Sequence, residues 1–295
     1  MVIETLIGAA PISQRDRSIL EHGRIEPTQS IGRTPPVTDD TDWIATHRRV
    51  WRKKAALRRY YERDVFDRIR AELKPGRILE LGSGPGFFAA DRPDIVAMDI
   101  TVGPRSNVVA DAHLLPFQDR AFTNVVGIDV FHHLARPGQV LAEVARILTS
   151  GGRLILVEPW AGPFGRLIYR HFHHEDCEAV PDPWAWAAPT GKDPMTGNAM
   201  IPKAVLADSA IPIPDRIPDL SSAQVTPFGA VSFLFTGGFQ NWGAPWPLVH
   251  LALGVENLMP RPMMNWLALR ALFVIEKRPS HAANGLSESD GDGTA

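Results

Sequence analysis

A single cysteine, Cys177, stands in a chain of 295 residues. No internal disulfide framework can form, and a reducing compartment is the expectation. Net charge is equally sparse: 31 Lys and Arg against 33 Asp and Glu leave a formal -2. Nothing in that balance draws the chain as a whole to nucleic acid or anionic membrane. No apolar run reaches the roughly 18 residues needed to span a bilayer. The nearest, Trp246 to Met259, is interrupted by Pro247, His250 and Glu256. Met1 to Pro11 lacks a basic start and carries Glu4, so a secretory signal is not expected and a cytoplasmic protein is. The composition that remains, 44% hydrophobic and 22% charged, is ordinary for a globular chain of one large domain or two small ones.

Residues 1–40 are rich in Pro, Thr, Arg and Asp, and 279–295 in Ser, Gly and Asp. Neither has a sustained period, so both read as disordered tails around a single domain over 41–278. A helix is predicted from Thr41 or Asp42 to about Leu73, because Trp43, Val50, Trp51, Leu57, Tyr61, Val65, Phe66 and Ile69 recur at helical spacing. Its other face carries Arg48, Arg49, Arg52, Lys53, Lys54, Arg58 and Arg59. That face is either a plain solvated one or a surface for anionic lipid or an acidic substrate.

From Arg77 the pattern changes. Ile78, Leu79 and Leu81 run into Gly82-Ser83-Gly84-Pro85-Gly86. Glycines at alternate positions let the backbone turn sharply and a ligand approach it. The spacing is G-x-G-x-G, not the G-x-G-x-x-G of dinucleotide enzymes. Strands are predicted over Ile78–Leu81, Ile95–Ile100, Val108–Ala110, Val125–Val130 and Arg153–Glu158, with a helix from Val140 to Leu148 closed by Gly151-Gly152. Such alternation predicts an α/β fold: a Rossmann-like, doubly wound, mostly parallel sheet with helices on both faces. Ligands in these sheets sit at the carboxyl ends of the strands. Those ends carry Glu80, Asp99, Asp111 and Asp129, the last followed by His132 and His133. Asp99 is placed to accept from both hydroxyls of a ribose, and Asp111 from the exocyclic amine of a base.

These ordered segments resemble the class I S-adenosylmethionine-dependent methyltransferases, in the group often called type 11. Glu80–Gly86 is similar to the family's first motif and Val96–Ile100 to its second. Asp111-Ala112 with Leu115-Pro116-Phe117 is similar to the third, Phe122 through Leu134 to the fourth, and Gly151 through Pro159 to the fifth strand. Two departures stand out: Thr123 follows Phe122 where the family often has Asp, and Asp91 and Pro93 cut short the helix after the glycine loop. The resemblance implies a seven-stranded sheet with a reversed strand near its edge, and S-adenosyl-L-methionine as cofactor. It implies that Gly82, Ser83, Gly84 and Gly86 pass under the methionine part, with Glu80 near the ammonium. Asp99 would hold the ribose, Ile100 lie against the adenine, and Asp111 with Ala112 meet the adenine amine; Asp129 is counted with this cofactor-binding set. The implied activity is in-line methyl transfer to a small molecule or glycolipid acceptor. A nicotinamide-dependent oxidoreductase and a non-catalytic cofactor-binding protein are the alternatives.

The core covers 75–160, and 160–227 reads as an insertion that forms the lid and substrate site. Its segment Arg170–Cys177 packs His171, His173, His174, Glu175 and Asp176 together without the spaced pairs of a metal site. No metal is expected, and His173 and His174 are candidate substrate-binding residues. His133 and His132 are candidate general bases, with shaping of the loop as the plainer role. Without an Asn-Pro-Pro-Tyr motif after the fourth strand, base amines of nucleic acid are not expected acceptors. Further on, Phe228–Phe235 is predicted as a strand, Trp246–Met259 as a helix and Leu272–Glu276 as the closing strand. Trp242, Trp246, Met259, Met263, Met264 and Trp266 either pack a core or wall a pocket for an apolar or lipid-linked substrate. Peripheral membrane contact is compatible with that second reading.

Overall fold

The computed structural model describes residues 42–90, 92–172, 175–187 and 196–279. The two tails, residue 279 apart, lie outside the described residues, as do His173 and His174. A seven-stranded sheet in the order β3-β2-β1-β4-β5-β7-β6 organises the rest. Its strands are β1 (Ile78–Leu81), β2 (Ile95–Asp99), β3 (Val108–Val109), β4 (Phe122–Ile128), β5 (Leu148–Pro159), β6 (Gln224–Phe228) and β7 (Arg270–Glu276). The first five are parallel, and β7 runs antiparallel to both β5 and β6. Every residue of β1 is buried, because apolar layers cover both faces of the sheet. One layer includes α4 (Pro137–Ile147), through Val140, Leu141 and Val144. The other includes Leu57, Val65 and Ile69 from the N-terminal helices.

Those N-terminal helices are not one rod. They run as α1 (Asp42–Lys53), α2 (Ala55–Tyr60), a π-helical turn (Tyr61–Phe66) and α3 (Asp67–Glu72). The break falls at Lys54, whose backbone leaves the helical region while its ammonium donates to the carbonyls of Gly238, Gln240 and Trp242. Arg48 and Arg58 also spend donors on carbonyls, those of Pro85 and Trp51. Three cations of the expected basic face therefore hold the fold. Between β1 and β2 the described residues contain no helix, only turns, as Pro93 and the Arg92–Asp94 pair would dictate.

The insertion holds α5 (Pro163–Phe172), α6 (Ile201–Leu206), α7 (Ile213–Arg216) and, at its end, β6. The expected strand Phe228–Phe235 is corrected here. The strand ends at Phe228, Gly229 turns the chain with φ 64°, and α8 (Val231–Thr236) follows. A run of β-formers becomes helical because tertiary partners outweigh its propensity. The buried Glu256 accepts from the Ser232 backbone N–H at 2.7 Å and from its hydroxyl at 2.6 Å, an N-terminal cap supplied from a distance. Gly237 closes the helix in the left-handed region. Glu256 itself ends α9 (Trp246–Glu256), three residues short of the expected helix, and α10 (Arg261–Leu267) leads into β7. That strand begins two residues before its predicted start and so includes Arg270.

Glu256→Ala should cost about 1–3 kcal/mol, the desolvation penalty of stranded buried donors. A urea midpoint equal to the parent's would show that α8 does not depend on this cap.

Candidate active site

The carboxyl ends of β1, β2 and β4 open on one cavity of about 960 Å³. At the glycine end, Gly82, Gly84 and Gly86 all adopt positive φ, a conformation only glycine takes at no steric cost. A Cβ on Gly82 would lie 2.3 Å from the Val130 side chain. Asp99 steadies the loop: its Oδ2 accepts from the Gly84 N–H at 2.7 Å, and its Oδ1 from the N–H and hydroxyl of Thr101. Ser83 donates its N–H to the Met98 carbonyl and faces Ser106. Beneath the loop Glu80 is buried, and its Oε2 has no hydrogen-bond partner. Burial, and then the charge of Asp99, push its carboxyl up to about 8.

Ile100, 58% exposed, stands on the wall beside Asp111 and the buried Ala112. Burial works against ionised Asp111, but the His113 backbone N–H and ring hold its carboxyl below the usual carboxylate range. All ten residues predicted for the cofactor line this cavity except Gly86, which closes the loop behind it.

The histidine pair sits on a 3-10 turn, Phe131–His133, after β4. Glu158 at the end of β5 holds that turn. Its Oε1 accepts from the N–H groups of Val130 and Phe131, at 2.9 and 2.7 Å. Its Oε2 lies 2.6 Å from His132 Nδ1. On the far side of the ring, His132 Nε2 is 3.0 Å from Glu175. Burial alone would lower His132, yet Glu175 and Glu158 together push it up to about 10. His132 is therefore an imidazolium bridging two carboxylates, and it has no free nitrogen with which to take a proton from a substrate. His133 is the opposite case: burial and the neighbouring His132 charge push it down to about 4, so it is neutral near pH 7. Both line the cavity with Glu175. Among the described residues, His132, His133 and Glu175 are a group whose ligand atoms lie within 4.8 Å of one another. A metal there would have to displace the His132 proton from its two carboxylates.

Asp129, with φ 52°, engages side chains from other elements through its carboxylate. Both its oxygens accept from Arg270 Nη2, at 2.8 and 2.9 Å, and one accepts from the Tyr61 hydroxyl at 3.2 Å. Arg270, Glu158 and Glu175 were not predicted as partners, since each lies far along the chain from the group it meets. The rest of the wall is aromatic. Trp43 meets His47 edge-on at 5.3 Å, and His47 stacks on Phe239 at 4.2 Å. Phe87 stacks on Trp51 at 4.1 Å. Of the soft C-terminal residues, Trp242 reaches this wall; the remainder lie on or around α9 and α10.

Residues 79–156 match the family described as methyltransferase domain. A demethylmenaquinone methyltransferase from Deinococcus radiodurans is 30% identical over 176 residues, 50% of this chain and 67% of that one. A methyltransferase from Mycobacterium marinum is 33% identical over 120 residues, covering 35% of this chain and 47% of its own length. The match thus spans about half of that relative. A methyltransferase structure from Thermotoga maritima, described as a possible histamine N-methyltransferase, covers 80% of this chain and 93% of that one. Its 17% identity and TM-score of 0.42 make the likeness too loose to bear on function. The chain belongs to the class I S-adenosylmethionine-dependent methyltransferases.

Two pH dependences follow from the charges. Glu80 titrates higher in the folded chain than its ordinary 4.5. Its contribution is therefore full below about pH 4.5 and is lost as pH rises through about 8. Glu80→Gln should melt higher than the parent at pH 8.5 and gain nothing at pH 4.5; equal melting at both would mean Glu80 is not desolvated. His132 is also raised, so its contribution is full below about pH 6.5 and lost as pH rises through about 10. Glu158→Gln should cost about 3–5 kcal/mol at pH 7, the usual penalty for breaking a buried ion pair. By chemical denaturation that penalty should shrink toward pH 10; a constant difference would show that charge is not what His132 contributes.

Proposed function

We propose that this chain transfers the sulfonium methyl of S-adenosylmethionine to an apolar or lipid-linked acceptor, a small molecule or glycolipid, by in-line displacement. One observation carries the reading. A single cavity is lined both by the polar glycine loop and by the rings of Trp43, His47, Tyr61, Phe87, Phe233 and Phe239.

The residues present fit the cofactor. Glu80 Oε2 is a buried acceptor without a donor, suited to the ammonium. Asp99 Oδ1 already accepts from the N–H and hydroxyl of Thr101 and Oδ2 from the Gly84 N–H, which leaves Oδ2 one lone pair for a ribose hydroxyl. Ile100 offers an apolar face to an adenine, and Asp111 an acceptor to its amine. Bound there, the cofactor supplies an electrophilic methyl group. The chain's own work is then positioning: the aromatic wall orients the acceptor and excludes water, and correct alignment supplies most of the acceleration. Neutral His133 lines the cavity and is the candidate to accept a proton from a hydroxyl acceptor. Its value of about 4 makes it a weak base, which favours acceptor atoms that need little deprotonation. The name of the Deinococcus relative gives demethylmenaquinone as its acceptor, in keeping with an apolar body here.

The test is calorimetric titration with S-adenosylhomocysteine beside NAD. Micromolar binding, weakened at least tenfold in Asp99→Ala, with none for NAD, is expected. Preference for NAD would reassign the site to a nicotinamide enzyme. Tight binding with no turnover over a broad acceptor screen would leave a non-catalytic cofactor-binding protein.

A further inference from the structure

We propose that the face built by α5, α9 and α10 docks on an anionic lipid bilayer. The face is apolar to a degree that water does not favour. Leu248, Leu251, Val255 and Leu258 follow one another at three- and four-residue steps along α9 and its exit, so they share one stripe. All four are exposed, Leu251 by 65% and Leu258 by 85%. The opposite side of α9 buries Val249 and Glu256. In α10 no residue is buried, and Met263 and Trp266 are exposed. α10 packs against α5, which adds Leu167 and, at its end, Phe172, 76% exposed. Exposed apolar side chains gathered on successive helices mark an interaction site, and α10 links the two groups, packing on α5 and following α9 after residues 257–260.

Charge identifies the partner. Residues 221–275 contain one carboxylate, Glu256, and it is buried against Ser232. α5 contains none. Exposed Arg166 and Arg170 on α5 and Arg261 at the start of α10 therefore face no carboxylate on these elements. A surface of Leu, Met and Trp with Arg at its margin matches the interfacial zone of a membrane bearing negative headgroups. A second copy of this chain fits less well. In a two-fold contact the same patch meets its own image, so arginine meets arginine there, offset only by the exposed Asp176 and Glu178 that follow α5.

The face also reaches the cavity. Phe172 and Trp242 are exposed and line it, as does Ile168 one turn before Phe172. An apolar acceptor can pass from bilayer to cavity along α5 without crossing water. This route, unlike the docking itself, rests on the proposed activity.

The experiment is cosedimentation of the full chain with extruded phosphatidylcholine vesicles, with and without phosphatidylglycerol, at low and high salt. Binding to the mixed vesicles should exceed binding to the neutral ones and weaken with salt. The exposed double substitution Leu251→Asp/Leu258→Asp should reduce it about tenfold or more, and Arg166→Glu/Arg170→Glu should abolish the anionic preference. Thermal melts matching the parent's would show both variants folded. No sedimentation with anionic vesicles at low salt would overturn the proposal, as would unchanged binding by the leucine variant. Light scattering that shows a dimer which the leucine variant dissociates would assign the face to a second copy instead. Vesicle binding without S-adenosylhomocysteine binding would sink the activity and spare the docking; the reverse result would do the opposite.

Discussion

Glu158 is the interaction on which the site depends. A carboxylate with no exposure is affordable only when every lone pair finds a donor. Here the N–H groups of Val130 and Phe131 and the His132 ring provide them. The consequence reaches beyond the pair. By fixing Val130, Glu158 also fixes what lies against the glycine loop, because the Val130 side chain occupies the space a Cβ on Gly82 would need. The loop's conformation and the 3-10 turn are therefore set together, from the end of β5.

Asp129, the residue before that turn, ties the site in another direction. Its pairing with Arg270 and Tyr61 joins β4 to the antiparallel strand and to the N-terminal helices. Arg270 lies 4.9 Å from the Phe233 ring centroid and 5.6 Å from that of Tyr61, so the same cation supports the aromatic wall. Lys54 closes the structure from above, gathering the carbonyls of Gly238, Gln240 and Trp242. Loop, wall and roof come from segments remote in sequence, and a few buried charges join them.

That remoteness decides what could be read in advance. The glycine loop, Asp99 and Asp111 announce themselves locally, because a strand, a turn and a terminal carboxylate occupy a handful of consecutive residues. Their strands were legible for the same reason. Lys54 looked like one more cation on a solvated face, since nothing nearby says that three carbonyls from residues 238–242 meet it. His132 looked like a base until two carboxylates from other segments bracketed it. Phe228–Phe235 has the composition of a strand, and only Glu256, reaching back from α9, makes its second half helical. Arg270 sat just before the predicted closing strand, where periodicity gave it no role. What was missed in each case is a long-range polar partner.

The cavity's electrostatics complete the picture. Asp129 faces Arg270, and His132 stands between Glu158 and Glu175. Glu80 differs from these: desolvated and beside the Asp99 charge, it holds a proton near neutral pH, and its Oε2 meets no donor. A cation placed against it would return the carboxyl to its charged form, releasing that proton and gaining a strong, water-excluded interaction. A neutral ligand would gain neither. In the proposed function, the unpaired carboxyl at the end of β1 is the group that meets positive charge, while the aromatic rings of the same cavity meet an apolar body. A cofactor bearing an ammonium and a sulfonium beside an apolar acceptor meets both demands.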